Sequence, residues 1–333
     1  MGRKVTYIES DRSLIKSKSY DIVYEWEDVL SEKLNISIKE YSRINELYHG
    51  RFEKNALVDL YHCIHKREDF GLHFIMRAET KKKCILNSNK IPVIIDFWLL
   101  KRDLPRFYEA YKYIPLLLVT NKEVYDLLKT QNCPFPVEHW PLSFPDKYIP
   151  QTVAPQKKYD FAILGRPNPF FIRLLDEYVS KHPGFKYVIN NGNIKSREYR
   201  TNEGKFVAKD IGRESYIQML KDTRVTCYTT PGLDESKKET TLFNQVTPRL
   251  FEMLANGCHV IGHYPPAGAD VKYYNLSTVI PNVNNYADFE RELNRMLSTP
   301  FDVNKAKAFL VNHCTSVRAE MLKDILGNHG IVV

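Results

Sequence analysis

Strand-length apolar runs alternate with segments of helical period along most of this chain. The alternation runs through twice, once on each side of residues 141–156 (PLSFPDKYIPQTVAPQ). Few architectures accept that order, because a helix following each strand must pack back on the sheet, which produces layered α/β structure with parallel strands. In the first half the pattern predicts strands at 4–8, 72–76, 93–97, 116–120 and 137–140, with helices at 22–34, 43–66, 104–113 and 122–130. In the second half it predicts strands at 160–164, 185–189, 225–228, 259–262 and 278–280, with helices at 170–181, 214–221, 248–256 and 286–297. The intervening stretch has four prolines and no period, and reads as a linker. The expectation is therefore two sheet-and-helix domains, 1–150 and 151–333, facing an interdomain cleft. Ligands of such folds bind at the carboxyl ends of the parallel strands. A helical ending, 303–326, is placed to cross back onto the first half.

A length of 333 residues suits two domains, and 43% hydrophobic with 26% charged residues can fill a core in each. That excludes a disordered chain, a collagen-like fibre and a small disulfide scaffold. No apolar run approaches the roughly 18 residues of a membrane-spanning helix. The start, MGRKVTYIES, enters a strand without a signal-peptide core, and its Gly2 and Thr6 match a myristoylation pattern by chance. Six cysteines at unpaired spacings read as reduced thiols of a cytoplasmic protein. The net charge of +8 is spread over both halves, 24 basic against 21 acidic residues up to position 150 and 24 against 19 beyond it. A nucleic-acid binder concentrates such charge in a stripe, so no nucleic-acid partner is expected. A diffuse excess suits phosphorylated substrates, or peripheral contact with the anionic inner face of a membrane.

The most informative segment is 247–262, TPRLFEMLANGCHVIG. Thr247 fits an N-cap, Pro248 the first helical position and Gly257 the position past the end. A helix start attracts phosphate, and Arg249 and Glu252, three apart, share a face. Together they can divide one ligand, phosphate to the arginine and sugar hydroxyls to the glutamate; the bland alternative is an ion pair on the surface of an ordinary helix. The Gly165-Arg166-Pro167-Asn168-Pro169 turn after a strand allows close backbone approach to the same kind of ligand. Asn190-Asn191-Gly192 reads as a structural turn, and no GxGxxG occurs, which counts against a nicotinamide dehydrogenase. Asp96 ends the apolar run IPVII, where an acid can orient or deprotonate a hydroxyl; capping a helix or pairing with Lys101 or Arg102 is the structural alternative. His139 has a similar strand-end position. His62, Cys63 and His65 lack a second ligand pair, His259 and His263 fall on a strand, and no Asp-x-Asp occurs, so no metal is expected.

These segments resemble GT-B glycosyltransferases, which have two Rossmann-like domains, and most closely the branch of spore-maturation-like and group 1 glycosyltransferases. The likeness covers most of residues 155–327 and rests on the Arg–x–x–Glu helix with its Gly turn, on FAILGRPNP, on Arg173 and on HCTSVRAEMLKDIL; VIIDFW and HWPLSFPD match only in layout. It implies a first domain that binds the acceptor and a second that binds a nucleotide-sugar donor. It places Glu252 on the ribose or sugar and Arg249 beside the phosphates. Gly165, Arg166, Arg173 and Thr247 complete the donor site, and Asp96 serves the acceptor. Asn244 departs from the pattern where many retaining members have a Glu eight residues before the second, as does Phe171 where many have a Lys. Arg173 is expected to replace that charge. The expected activity is metal-independent transfer of a sugar to a glycan or lipid-linked glycan acceptor, with no cofactor, in polysaccharide biosynthesis. A sugar-nucleotide epimerase of the same fold, and more remotely a non-catalytic nucleic-acid-binding protein, are the alternatives.

Overall fold

The computed structural model describes residues 2–40, 68–80, 89–151, 157–165, 167–190, 198–209, 212–233 and 243–333. The chain divides into two compact units, Met1–Asp146 with His313–Val333, and Lys147–Asn312. The second unit thus ends at Asn312 rather than at the C-terminus. The expected helix at 43–66 lies outside the described residues, as do Cys63, Cys84, Arg166, Asn191 and Gly192.

The first unit runs β1 (Arg3–Ser10), α1 (Asp21–Leu34), β2 (Ser37–Glu40), β3 (Asp69–Arg77), β4 (Lys90–Asp96), α2 (Leu104–Tyr111), β5 (Leu117–Val119), α3 (Lys122–Thr130) and β6 (Val137–His139). Its strands pair in parallel in the order β1-β3-β4-β5-β6, with β2 on the outer edge of β1. The KIPVIID sequence of β4 is buried in every residue but its last, as expected of a central parallel strand covered on both faces. Val23, Trp26, Leu30 and Leu34 of α1 repeat at helical spacing and enter the same core as Phe74 and Trp140. Asn35, at φ 52°, ends α1 in the left-handed conformation that asparagine tolerates.

The second unit runs β7 (Tyr159–Ile163), α4 (Pro169–Lys181), β8 (Tyr187–Asn190), β9 (Glu198–Thr201), β10 (Phe206–Lys209), α5 (Arg213–Asp222), β11 (Thr223–Thr229), α6 (Pro248–Ala255), β12 (His259–His263), α7 (Ala269–Tyr273), α8 (Tyr286–Ser298) and α9 (Val303–Leu310). The sheet order is β10-β9-β8-β7-β11-β12, antiparallel among β8, β9 and β10 and parallel elsewhere. The chain leaves β7 toward β8 on one side and returns to β11 on the other, so a topological switch point lies between β7 and β11. The strand expected at 278–280 is not formed. Leu276–Thr278 is a 3-10 turn, and pairing there is one parallel bridge between Gly262 and Asn282. Ile280 is apolar because it packs on Gly262, where an added Cβ would meet its Cδ1 at 2.9 Å.

The helix expected at 303–326 is two helices, α9 and α10 (Thr315–Asn328), followed by β13 (Ile331–Val332). The break is where the chain returns to the first unit. Pro141–Pro145 are all buried, so the start of the expected linker is in fact the seat of α10. Trp140 Nε1 donates to the Arg318 carbonyl at 2.9 Å, and the Thr315 N–H and hydroxyl both donate to the Phe144 carbonyl at 3.0 Å. Cys314, the N-cap residue of α10, makes no side-chain cap bond. Asp146 supplies it instead, accepting the Ser316 N–H at 3.0 Å and the Ser316 hydroxyl. The chain then closes the sheet by pairing β13 with the start of β1. Asp146→Ala should therefore cost the first unit about 0.5–2 kcal/mol, the range for loss of an N-cap. Urea unfolding of the variant checks it, and an unchanged midpoint would show that the cap contributes nothing.

Among the described residues no helix is long and apolar enough to cross a membrane. Cys133, Cys227, Cys258 and Cys314 are free thiols.

Candidate functional site

Gly165 and the start of α6 meet at the carboxyl ends of β7 and β11, near the end of β12. Gly165 follows β7 with φ +89°, a conformation that residues with a Cβ rarely adopt. Both of its peptide groups are held: its N–H donates to the Tyr199 hydroxyl at 3.1 Å, and its carbonyl accepts the Asn190 side-chain amide. Asn168 is the N-cap of α4, accepting the Phe170 N–H at 2.8 Å, with Pro169 in the first turn. Its amide reaches across the switch point to Thr229 Oγ1 at 3.3 Å. Gly165 and Asn168 are thus each fixed by hydrogen bonds to neighbouring elements.

At the start of α6, Thr247 occupies the N-cap position with extended backbone, but its side chain makes no cap bond; its N–H donates to the Tyr228 hydroxyl at 2.9 Å. Arg249 is exposed and lies against Gly165. A Cβ on Gly165 would meet the Arg249 Cζ and Nη2 at 3.1 Å. Among the described residues Arg249 has no ion-pair or hydrogen-bond partner, so its guanidinium is available to a ligand above the glycine turn.

Glu252 does not pair with Arg249 and is not at the surface. It is 6% exposed, and its carboxylate receives the Arg213 guanidinium from α5. Arg213 also lies over the Tyr148 ring, 5.3 Å from its centroid. Tyr216, one turn further along α5, has a buried hydroxyl without a hydrogen-bond partner. Burial first, and then the Glu252 charge, push its ionisation well above the ordinary tyrosine range, while Arg249 and Arg213 oppose the shift. Arg213, Tyr216, Glu252 and Arg249 therefore share one electrostatic neighbourhood. Sequence reasoning missed Arg213 and Tyr216, because nothing in α5 marks which residue faces a carboxylate 39 positions later.

The departures from the family pattern have structural explanations. Phe171, at the position of the missing lysine, is fully buried in the core of the second unit. Asn244, at the position of the missing glutamate, accepts the Thr230 hydroxyl at 2.8 Å and covers Gly232, where a Cβ would fall 2.5 Å from its Oδ1. Arg173 is exposed on α4, off the stripe of Phe170, Phe171, Leu174, Leu175 and Tyr178 that enters the core. His263, considered in the sequence only as a metal ligand, stacks on Phe170 with ring centroids 3.9 Å apart and donates from Nδ1 to the Val283 carbonyl at 2.9 Å. Among the described residues no group of three His, Cys, Asp or Glu could hold a metal ion.

In the first unit Asp96 ends β4, half-buried, and its carbonyl accepts the Ala78 N–H at 3.0 Å. It pairs in register with Arg77, whose guanidinium lies 3.7 Å from the Trp98 ring centroid. His139 ends β6, and burial pushes its pKa down to about 4. Both residues are at the carboxyl edge of their sheet.

No protein-family model and no curated protein matches the sequence. Solved structures do match. The chain is similar to the N-terminal domain of trehalose-6-phosphate phosphatase from Candida albicans, at 8% identity over 99% of this chain and 98% of that one, with a TM-score of 0.61. It is similar to sucrose-phosphate synthase from Thermosynechococcus elongatus, at 9% identity over 98% and 99% of the two chains, TM-score 0.57. It is also similar to HepE from Anabaena in complex with UDP, at 8% identity over 98% and 100%, TM-score 0.52. The resemblance to GT-B glycosyltransferases thus holds at the level of structure, and at such identities what it establishes is the fold: α/β, with Rossmann-like units of the GT-B kind.

Proposed function

We propose that this chain is a glycosyltransferase that moves a sugar from a nucleotide-sugar donor, bound by the second unit, to a glycan or lipid-linked glycan acceptor, bound by the first. The observation that carries the reading is the unpartnered Arg249 guanidinium lying on the Gly165 turn, beside the N-termini of α4 and α6. A diphosphate leaving group gains charge as the glycosidic bond to it breaks. Preorganised donors that offset this charge are usually the largest catalytic contribution. Arg249 and the helix starts supply them here, and Glu252, oriented by Arg213, takes a hydroxyl of the ribose or sugar. Arg173, on the outward face of α4, carries less of that load than the family pattern implies. The reaction needs no cofactor and belongs at the inner face of a membrane or in the cytoplasm, in polysaccharide biosynthesis.

A thermal-shift panel of UDP, GDP, ADP, CMP and their sugars tests the reading, since a ligand that binds only the folded state raises the melting temperature. UDP, the ligand of the Anabaena structure, comes first. No shift with any of them at millimolar concentration would overturn it. Transfer is expected to persist in EDTA, with arginine and helix dipoles in place of a cation. Complete loss on chelation, restored by magnesium or manganese, would assign that work to a metal. Asp96→Asn is expected to leave nucleotide affinity intact while lowering transfer to the acceptor. Unfolding without a separate effect on transfer would make Asp96 a structural residue.

A further inference from the structure

The first unit contains a buried cation that has no counter-ion among the described residues. Arg318 is 4% exposed. A guanidinium so deeply buried is nearly always paired, because leaving a charge unpaired in the interior is costly. Yet among the described residues no carboxylate lies within ion-pair distance of it. Its Nη2 donates to His313 Nδ1 at 2.9 Å, while its Nε–H is sealed from solvent with no hydrogen-bond partner. Arginine can only donate, so His313 accepts at Nδ1 and carries its proton on Nε2.

The surroundings deepen the imbalance. Arg318 is the fourth residue of α10, near a helix start that is itself partly positive. Asp146, the acid at that helix start, is engaged by the Ser316 N–H and hydroxyl. His139 and His313 are both pushed down to about 4, chiefly by burial, with the Arg318 charge contributing to each. Both imidazoles are therefore neutral at pH 7, and among the described residues no anion balances the arginine. The location is also informative. His139 ends β6 and feels the Arg318 charge, so the guanidinium lies near the carboxyl edge of the parallel sheet, where such folds take ligands.

We infer that the Arg318 guanidinium binds a phosphate group of a ligand of the first unit. Its planar fork suits a tetrahedral oxyanion. If the first unit takes the acceptor, which rests on the proposed function, the acceptor carries that phosphate. Inorganic phosphate and a sugar phosphate present the same oxyanion, and the test separates them.

Calorimetric titration of the full chain at constant ionic strength, with inorganic phosphate, glucose 6-phosphate and glucose, tests the site. Both phosphates should bind the unsubstituted protein and Arg249→Ala, and glucose should not. Arg318→Gln should weaken both by about tenfold or more, the usual consequence of losing a charge-assisted hydrogen bond. Arg318→Lys, which keeps the charge but not the fork, should fall between. Phosphate should also shift the Arg318 Nε–H resonance of the unsubstituted, 15N-arginine-labelled protein, a readout that needs no variant to fold. Equal affinity with and without Arg318, loss confined to Arg249→Ala, or an unmoved resonance would overturn the site. Tighter binding of glucose 6-phosphate than of inorganic phosphate supports a phosphorylated acceptor; equal binding overturns that clause alone. Nucleotide binding retained in Arg318→Gln would show that the donor reading stands or falls separately.

Discussion

Glu252→Ala is expected to destabilise the second unit by about 3 kcal/mol, the low end of the roughly 3–5 kcal/mol that follows when a buried ion pair loses one partner. The Glu252 side chain is only 7% exposed, so its carboxylate gains little from water and much from Arg213. Removing it takes the buried counter-charge away from Arg213, beside the sealed Tyr216 hydroxyl. The cost is at the low end because the Arg213 side chain keeps 19% exposure and can turn toward solvent. Arg213→Ala should also destabilise, by removing the ion-pair partner of a buried carboxylate. The double variant should be far less unstable than the two single costs imply, since it removes both charges together. A urea-unfolding cycle measures this coupling. Additive losses, or a single variant as stable as the parent, would return Glu252 to the reading of an ordinary surface carboxylate.

Arg249→Ala should behave in the opposite way. The side chain is exposed and has no partner among the described residues, so its loss should leave the unfolding midpoint nearly unchanged. Nucleotide diphosphate affinity should fall by about ten- to a hundredfold, the equivalent of roughly 1.5–3 kcal/mol for a hydrogen bond to a charged group. Arg249→Lys should recover part of this, because it keeps the charge but not the bidentate fork. Gly165→Ala provides an independent route to the same defect. Its Cβ would press on the Arg249 guanidinium at 3.1 Å while straining a backbone at φ +89°. Calorimetric titration with UDP at fixed ionic strength reads all three variants. Unchanged affinity in Arg249→Ala would remove the arginine from the donor site.

Much of the architecture is legible in the chain because its causes are local. A continuous apolar run marks β4, which is covered on both faces, a period of 3.6 marks α1, and Asn121, Asn168, Asn285 and Asp302 cap α3, α4, α8 and α9 with their own side chains. Even the Thr-Pro start and Gly257 stop of α6 are set by backbone preference over a few residues. Elements whose cause is distant are not legible. The apolar 278–280 run looks like a strand, but Ile280 is apolar because it covers Gly262. The helical period of 303–326 continues through a break that exists only because Thr315 docks on Phe144.

The candidate site divides in the same way. By itself the sequence determined that Arg249 and Glu252 share a helix next to a glycine turn and a proline start, since helix geometry places residues three apart on one face. The tertiary structure alone decided that they do not act as a pair: Arg249 lies on Gly165, and Glu252 turns inward to Arg213. It also decided that Asp146 caps a helix 170 residues away and that Arg318 is buried without a carboxylate partner among the described residues. The physical reason is that periodicity specifies which face a side chain occupies, whereas the partner of a buried charge is whichever group folding brings within reach. Coulomb energy at a few ångströms in a low-dielectric interior depends on that separation and not on distance along the chain.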